Sequence, residues 1–252
     1  MPSHNTLRSR LRAGETLLGT MVTLNSPAVV EILGAVGFDW LFLDAEHAPY
    51  AAADLQLLMQ AAGPSLPCLV RLAAGDEVSI KKALDAGAAG VIVPLVNRAE
   101  EAAQVVRHAK YSPQGTRGVG IGRAHGYGLN FQAYVETANE ETAVIVQAEH
   151  IRAVENIEAI VAVPGIDGIL IGPYDLSASL GLIGQVGHPT VVDAIRRVTE
   201  ACRNAGIALG IFGVTADAVK PYLDEGYTLI VAGVDTVFLG QGAGTLLADL
   251  KG

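Results

Sequence analysis

Two apolar runs, Ala143-Val144-Ile145-Val146-Gln147 and Gly168-Ile169-Leu170-Ile171-Gly172, are each followed within a few residues by a carboxylate. Glu149 follows the first run and Asp175 follows the second. Short runs as apolar as these are typical of strands that are buried on both faces of a parallel sheet. Because parallel strands end at the same edge, where α/β proteins place their chemistry, we expect the two carboxylates to lie close together.

The same pattern recurs along the chain, where short apolar runs alternate with longer amphipathic segments. The predicted strands are Leu17–Thr23, Trp40–Asp44, Cys68–Leu72, Gly90–Pro94, Ala143–Gln147, Gly168–Ile171, Ala208–Phe212 and Leu229–Ala232. Predicted helices between them include Asp76–Ala86, Arg98–Ala109, Ile151–Val161, Pro189–Ala205 and Ala216–Glu225. This alternation indicates an α/β fold, and 252 residues is the usual length of one barrel. We therefore predict a single (β/α)8 TIM barrel domain over residues 1–252.

Composition narrows the class of protein. The formal charge of −9 and the lack of any Lys/Arg cluster argue against nucleic acid or an anionic membrane as a partner. Cys68 and Cys202 are isolated, which supports neither a disulfide scaffold nor a zinc ribbon and favours a reducing cytoplasm. We find no apolar stretch of signal-peptide or membrane-helix length, so we expect a soluble protein.

Two segments are rich in glycine. Tyr111–Glu140 interrupts the strand and helix rhythm, and we predict a long connection without regular structure, of the kind that tends to be functional. Gly240–Gly244 follows the last strand, where barrels often bind phosphate. No Lys or Ser stands beside this second cluster, so phosphate binding is the weaker interpretation of it.

Polar residues at the predicted strand ends outline a site at the barrel mouth. These residues are Asp44, Glu46, His47, Arg71, Gln147, Glu149 and Asp175. Carboxylates completed by water or substrate oxygen are typical ligands of Mg²⁺ or Mn²⁺, whereas zinc prefers more His or Cys. Alternatively, Glu149 and Asp175 are helix N-terminal acids that only favour the helix dipole.

Two residues of this set are candidates for catalysis. A histidine between carboxylates suits a general base near neutral pH, so His47 is one candidate; the alternative is a polar residue that ends the strand. Arg71 is placed to stabilise an oxyanion, unless it forms a structural salt bridge with Asp44 or Asp175. The turn at Gly172–Ser177 aims the backbone N–H groups of Tyr174 and Asp175 into the mouth, where they suit a carboxylate.

Five blocks of sequence carry a family resemblance. Asp39–Pro49, Val70-Arg71, Lys110–Gly118, Gln147-Ala148-Glu149 and Gly172–Ser177 together resemble the metal-dependent class II pyruvate aldolases of the 4-hydroxy-2-oxoheptane-1,7-dioate and 2-dehydro-3-deoxyglucarate aldolase family. The blocks occur in order over most of the chain. The resemblance implies a barrel of the phosphoenolpyruvate/pyruvate-domain type and a metal-dependent lyase in the catabolism of aromatic compounds or sugar acids.

The resemblance also implies a reaction and roles for the site residues. A divalent metal, Mg²⁺ or Mn²⁺ with Co²⁺ as an alternative, binds pyruvate, whose enolate adds to an aldehyde or forms when a 4-hydroxy-2-oxo acid is cleaved. Glu149 and Asp175 resemble the metal ligands, and His47 the base that moves the proton of the 4-hydroxyl. Arg71 resembles the enolate stabiliser. The implied pyruvate-binding groups are Gln147 and the backbone of Tyr174 and Asp175, with Asp44 and Glu46 in supporting positions.

The family resemblance also bears on Asp85, on His150 and on the pocket for the aldehyde. Asp85 resembles the acid that raises the basicity of His47, but it ends a helix at the opposite barrel face, so a neighbouring subunit or an unusual local path has to bring it near. His150 stands where the family pattern has Thr, and we interpret it as the start of the next helix rather than as part of the metal surroundings. The predicted aldehyde pocket draws on Arg117, Arg123, His125, Phe212, Val214 and Val234.

The sequence also leaves alternative activities open and predicts an oligomer. Oxaloacetate decarboxylation, CoA-ester cleavage and a non-catalytic metabolite-binding barrel are the alternatives. Apolar residues in Val237–Leu239 and Leu246–Ala248 suggest subunit packing, and the resemblance points to a homo-hexamer, a trimer of dimers, with terminal helices exchanged between neighbours.

Overall fold

Eight parallel strands form a closed barrel in the computed structural model, which describes residues 6–252. The strands are β1 Leu17–Val22, β2 Trp40–Asp44, β3 Cys68–Arg71, β4 Gly90–Val93, β5 Ala143–Ala148, β6 Gly168–Ile171, β7 Ala208–Gly213 and β8 Leu229–Val234. Each strand pairs with the next, and β1 pairs with β8 to close the cylinder. The predicted (β/α)8 barrel and its eight strands are thus confirmed; residues 1–5, at the start of the predicted domain, lie outside the described residues.

Helices cover the outside of the barrel and one end of it. They are α1 Leu7–Arg12, α2 Pro27–Val36, α3 Ala52–Ala62, α4 Glu77–Asp85, α5 Ala99–Ala109, α6 Phe131–Glu141, α7 Ile151–Glu155, α8 Ile157–Val161, α9 Pro173–Ser179, α10 Pro189–Ala205, α11 Ala216–Asp224 and α12 Asp235–Lys251. The predicted helix Ile151–Val161 is divided at Asn156, which ends α7 and precedes α8. No described helix is long and apolar enough to cross a membrane.

Successive residues along a strand point to opposite faces, which gives this barrel two apolar layers. In β2, Trp40 and Phe42 belong to the cluster inside the barrel, and Leu41 and Leu43 belong to the layer under the helices. The barrel is therefore a packed core, as is usual for this fold. Gly19 makes room for the Trp40 ring, because a Cβ on Gly19 would overlap the indole.

A cluster of paired charges closes the end of the barrel where the strands begin. Leu7 and Leu11 of α1 join the inner apolar cluster, and Arg8 beside them is 3% exposed. Arg8 Nε donates to Asp167 Oδ1 at 2.8 Å, and its Nη1 donates to the carbonyl of Asn139 at 2.9 Å. This arrangement ties α1 to the segments that lead into β5 and β6.

Lys110 extends this cluster. It is 1% exposed, and its Nζ donates to the backbone oxygens of Asn139 and Thr142 at 2.7 and 2.6 Å. Burial, followed by the nearby positive charge of Arg8, lowers the pKa of Lys110 to about 7. The ammonium is hydrogen-bonded but costly to keep charged at this position.

The segment Tyr111–Glu140 is not the unstructured connection that its glycine content predicts. It contains a 3₁₀ segment, Arg123–Gly128, and most of α6. Gly126 and Tyr127 adopt left-handed backbone conformations at the end of the 3₁₀ segment, and the glycines end at Gly128. From Phe131 to Glu141 the sequence lacks Gly and Pro, so a helix can form there.

The second glycine cluster also has regular structure. Gly240–Gly244 lies within α12, which excludes a glycine-rich phosphate loop at this position. Along α12 only Asp235 is buried. Leu239, Leu246, Leu247 and Leu250 are each more than half exposed. The helix therefore leaves a large apolar surface uncovered within the single chain.

Candidate active site

Asp44 and Arg71 form the central ion pair at the mouth of the barrel, where the strands end. The two residues are partners in the register between β2 and β3, so their side chains leave the sheet side by side. Arg71 Nε donates to Asp44 Oδ1 at 2.9 Å, and Nη2 donates to Oδ2 at 2.8 Å. Both side chains are buried. The salt bridge between Arg71 and Asp44, which the sequence predicts as an alternative role for Arg71, is therefore present. It orients the Arg71 guanidinium.

The surroundings of Arg71 favour its positive charge. Arg71 Nε lies 3.2 Å from Glu46 Oε2, and the guanidinium carbon is 5.2 Å from the centre of the Phe42 ring. Although burial opposes the charge, the Asp44 hydrogen bond and the nearby carboxylates raise the pKa of Arg71. Asp44 uses two of the five N–H donors of the guanidinium, so three donors remain for a ligand.

His47 lies in the loop after β2, and its side chain is 69% exposed. Its Nε2 is 3.7 Å from Glu46 Oε2. Burial raises the pKa of Glu46, while the charges of Arg71 and His47 oppose that rise. Glu46 is therefore the carboxylate that accompanies His47 within one chain.

Glu149 is a second buried carboxylate of the mouth and is 5% exposed. Its Oε1 accepts the backbone N–H of Leu95 at 2.8 Å, and its Oε2 accepts Nε2 of Gln147. Burial is the main cause that raises the pKa of Glu149 to about 7, and the charges of Glu46 and Asp175 add to the rise. This charge coupling shows that the three carboxylates converge.

Gly172, just after β6, provides space for this carboxylate. A Cβ at position 172 would lie 3.1 Å from Glu149 Cβ and 3.3 Å from Glu149 Oε2. A side chain there would be in tight contact with Gln147 and Glu149, which would have to move slightly. The glycine is thus part of the site even though it offers no functional group.

Asp175 and Tyr174 lie in the first turn of α9, which begins at Pro173. Both side chains are exposed. The N–H groups of a first helical turn have no acceptor within the helix, so those of Tyr174 and Asp175 suit an anionic group of a ligand. His150 Nδ1 accepts the N–H of Arg152 at 3.1 Å and caps α7, in agreement with its interpretation as the start of that helix.

The mouth fits a hard divalent cation. Glu149 and Asp175 offer oxygen ligands, and the positive charge of Arg71 is already paired with Asp44. Among residues 6–252, Gln147 Oε1 is buried without a hydrogen-bond partner. The same residues hold no group of three or more His, Cys, Asp or Glu side chains set for a metal ion. Water or substrate oxygen therefore has to complete the coordination, as is usual for Mg²⁺.

Four of the residues predicted for the site lie away from the barrel mouth. Asp85 ends α4 at the closed end of the barrel, where its Oδ1 accepts Arg117 Nη2 at 2.7 Å. Arg123 donates to the backbone oxygens of Ala86 and Met59, and His125 is fully buried against Tyr111.

The structure thus does not bring Asp85 to His47. The prediction that Arg117, Arg123 and His125 line the aldehyde pocket is wrong for a single chain, because aromatic packing and backbone carbonyls hold them at the other end. Phe212, Val214 and Val234 do lie at the mouth, at the ends of β7 and β8.

Sequence reasoning also missed Leu95. Its contribution is a backbone N–H, and its φ of 53° is unusual for a residue other than glycine. Neither property can be read from a side-chain pattern. The only available signal is the Pro94-Leu95 step directly after an apolar strand.

Comparison with known proteins identifies similar chains. Residues 18–240 match the sequence model described as HpcH/HpaI aldolase/citrate lyase. A 4-hydroxy-2-oxovalerate aldolase of Rhodococcus jostii (strain RHA1) is 39% identical, over 97% of this chain and 95% of its own. A hydroxypyruvate/pyruvate aldolase of Cupriavidus necator is 38% identical, over 100% of this chain and 94% of its own. The crystal structure of an HpcH/HpaI aldolase/citrate lyase family protein from Burkholderia cenocepacia J2315 superposes with a TM-score of 0.93 at 38% identity, covering 98% of this chain and 99% of the other.

Proposed function

The chain belongs to the HpcH/HpaI aldolase/citrate lyase family, and we propose that the barrel mouth holds pyruvate and a divalent cation on Glu149 and Asp175. The chain is a metal-dependent aldolase that interconverts a 4-hydroxy-2-oxo acid with pyruvate and an aldehyde. The observation that carries the proposed site is Glu149, a buried carboxylate with two acidic neighbours and a pKa raised to about 7. A divalent cation is the natural counter-charge for such a group.

The cation would be held by Glu149 and Asp175, and when bound it supplies a Lewis acid for the keto group. We favour Mg²⁺ or Mn²⁺, with Co²⁺ as an alternative, because all ligands are oxygens. Gln147 and the first-turn N–H groups of Tyr174 and Asp175 orient the substrate carboxylate and keto oxygen. These groups hold the pyruvate half still while the bond to the aldehyde half changes.

Cleavage breaks the bond between C3 and C4 of the substrate. His47 takes the proton of the 4-hydroxyl, C4 becomes the aldehyde carbon, and the electron pair of the broken bond passes to the pyruvate enolate. Arg71 lies beside that negative charge, with donors left over from its pair with Asp44. Such a preorganised cation lowers the energy of the developing oxyanion. Glu46 Oε2 lies 3.7 Å from His47 Nε2 and can help to orient the imidazole.

The aldehyde half faces the ends of β7 and β8, where the apolar side chains of Phe212 and Val214 are partly exposed and Val234 is buried. Relatives of nearly equal identity bear names with different substrates, so identity alone does not select the aldehyde. The relatives do not favour decarboxylase, CoA-ester lyase or non-catalytic roles.

The decisive experiment measures pyruvate release with coupled lactate dehydrogenase. Metal-stripped protein is given a panel of 4-hydroxy-2-oxo acids, and then Mg²⁺, Mn²⁺ or Co²⁺ is restored. We expect release only with metal, and oxaloacetate serves as the control for decarboxylation. Undiminished release in excess chelator would contradict a metal-dependent reaction, and no release with any metal from protein that still binds pyruvate would contradict the aldolase assignment.

We further propose a homo-hexamer in which α12 packs on a neighbouring subunit. The support is the row of exposed leucines on α12, which no part of the described chain covers. Light scattering should give six chains, and Leu246→Glu should reduce that number. A monomeric wild-type protein would remove the proposal.

Asp85 gains a role only through such an assembly. Because its carboxylate pairs with Arg117 at the closed end of its own barrel, we propose that it serves the His47 of a neighbouring subunit. Asp85→Asn should then alter the pH profile of the assembled enzyme and leave metal affinity unchanged. The free, buried Cys68 and Cys202 support a reducing cytoplasm as the location.

A further inference from the structure

The loop after β4 contains a strained residue beside the metal site. Leu95 has a φ of 53°, in the left-handed region, which is costly for a residue with a branched side chain. Its own side chain is 57% exposed, so side-chain burial does not account for the strain. Such conformations persist where the surrounding structure holds them, and they concentrate at functional sites.

The Leu95 backbone joins Glu149 to Asn97. On one side, the Leu95 N–H donates to Glu149 Oε1 at 2.8 Å. On the other side, the Leu95 carbonyl accepts Asn97 Nδ2 at 2.8 Å. The two bonds use the two polar groups of the same strained residue. A change at Asn97 therefore reaches Glu149 through the orientation of one backbone unit.

Asn97 is itself held firmly in place. Its N–H donates to Glu101 Oε2 at 2.7 Å, at the start of α5. Its carbonyl accepts Asn156 Nδ2 at 3.0 Å, between α7 and α8. Two fixed helical elements thus define the position from which the Asn97 amide reaches Leu95.

We propose that Asn97 is a positioning residue for the metal site, because its side-chain amide holds Leu95 in the left-handed conformation that aims the Leu95 N–H at Glu149. With Gln147 on the other oxygen, both Glu149 oxygens have a donor and each keeps a lone pair for a cation. Partners of this kind orient ligands and tune metal affinity. The inference rests on the proposed role of Glu149 as a metal ligand.

The test is the Mn²⁺ dissociation constant of metal-stripped protein, measured by titration calorimetry. We expect Asn97→Ala to weaken Mn²⁺ binding about tenfold, at the lower end of the effect of such partners. Asn97→Gln keeps the amide but displaces it, and it should also weaken binding. If Asn97→Ala does not fold, Asn97→Gln carries the same test. Gln132→Ala is the matched control, since it removes an exposed amide whose partner, Glu136, lies on the same helix.

A double variant separates this role from general destabilisation. Glycine adopts positive φ readily, so Leu95→Gly added to Asn97→Ala should recover most of the lost Mn²⁺ affinity. Wild-type affinity in Asn97→Ala, or no recovery in the double variant, would overturn the inference.

Glu149→Ala distinguishes failure of the inference from failure of the site. Unchanged Mn²⁺ affinity in Glu149→Ala would refute the metal site itself. Loss of affinity in Glu149→Ala together with wild-type affinity in Asn97→Ala would refute only the positioning role. Thermal unfolding midpoints of all variants show whether each is folded at the titration temperature.

Discussion

The two ends of this barrel hold charged residues in opposite ways. At the closed end, Arg8 is buried with Asp167 and backbone carbonyls, and Lys110 is buried with the Asn139 carbonyl, which it shares with Arg8, and with the Thr142 carbonyl. At the mouth, three carboxylates converge around one arginine that is already paired. Where the strands begin, the buried charged groups have hydrogen-bond partners within the chain, whereas carboxylates are in excess where the strands end. In barrels of this kind the first end serves stability and the second serves chemistry.

The carboxylates at the mouth lower the stability of the fold, but they leave negative charge available to bind a ligand. A carboxylate with a pKa raised to about 7, such as Glu149, is held in surroundings that disfavour its charged form. The closed end behaves differently, since Asp167 accepts the guanidinium of Arg8 and the N–H of Val144. Substitutions at the two ends should therefore separate activity from stability.

The largest effect is expected for Glu149→Ala and Asp175→Ala. Each should reduce metal-supported turnover about a thousandfold or more, since a Lewis acid contributes several kcal/mol to such reactions. The free energy of unfolding should change little in Asp175→Ala, because Asp175 is exposed. In Glu149→Ala, loss of the repelling charge should offset loss of the hydrogen bonds from Leu95 and Gln147. The measurements are pyruvate release and urea denaturation. A large loss of stability with normal turnover would break the contrast.

Arg8→Met tests the closed end. It leaves Asp167 buried without its main partner, and loss of one partner of a buried pair costs about 3–5 kcal/mol. The urea midpoint should fall while kcat and KM of the folded protein stay unchanged. Arg203→Met is the control, because its partner Glu225 is exposed. Reduced turnover in folded Arg8→Met would show that the ends are coupled.

Arg71 is both a buried ion-pair partner and a residue of the active site. Arg71→Ala should therefore reduce both stability and turnover. Metal binding should remain, and turnover should fall about 100- to 1000-fold, as when one oxyanion donor is removed. Stability should also fall, because Asp44 is 1% exposed and loses its partner. Calorimetry, pyruvate release and urea denaturation report the three quantities. Retained turnover would refute the role of Arg71 as enolate stabiliser.

The smallest effect concerns pH and Lys110. Its pKa in the folded protein is about 7, against 10.5 ordinarily, so between these values the unfolded chain binds a proton that the folded chain does not. The free energy of unfolding therefore gains up to about 1.4 kcal/mol per pH unit as pH rises in this window. Lys110→Met should lose that gain between pH 7 and 8.5. Parallel curves for the two proteins would contradict the assignment.

Sequence alone predicts the barrel and the mouth for one reason. Strands buried on both faces are almost wholly apolar, so polar residues such as Asp44 and Gln147 stand out at the strand ends. Sequence patterns do not predict features that depend on backbone geometry. The glycines that precede α6 led to the prediction of an unstructured connection where the helix lies. The contribution of Leu95 to the site depends on its φ and its N–H. Sequence places Asp85 at the end of α4 that faces away from the mouth, but its position relative to His47 also depends on the assembly, which one chain does not define.

The packing of Trp40 against Gly19 has an optical consequence. Trp40 is the only tryptophan in the sequence and is fully buried inside the barrel, with its indole N–H donating to the carbonyl of Leu17 at 3.2 Å. Its emission reports the buried interior of the barrel at the start of β2. Opening of the barrel exposes this ring to water, so tryptophan fluorescence gives a built-in signal for unfolding of the barrel itself.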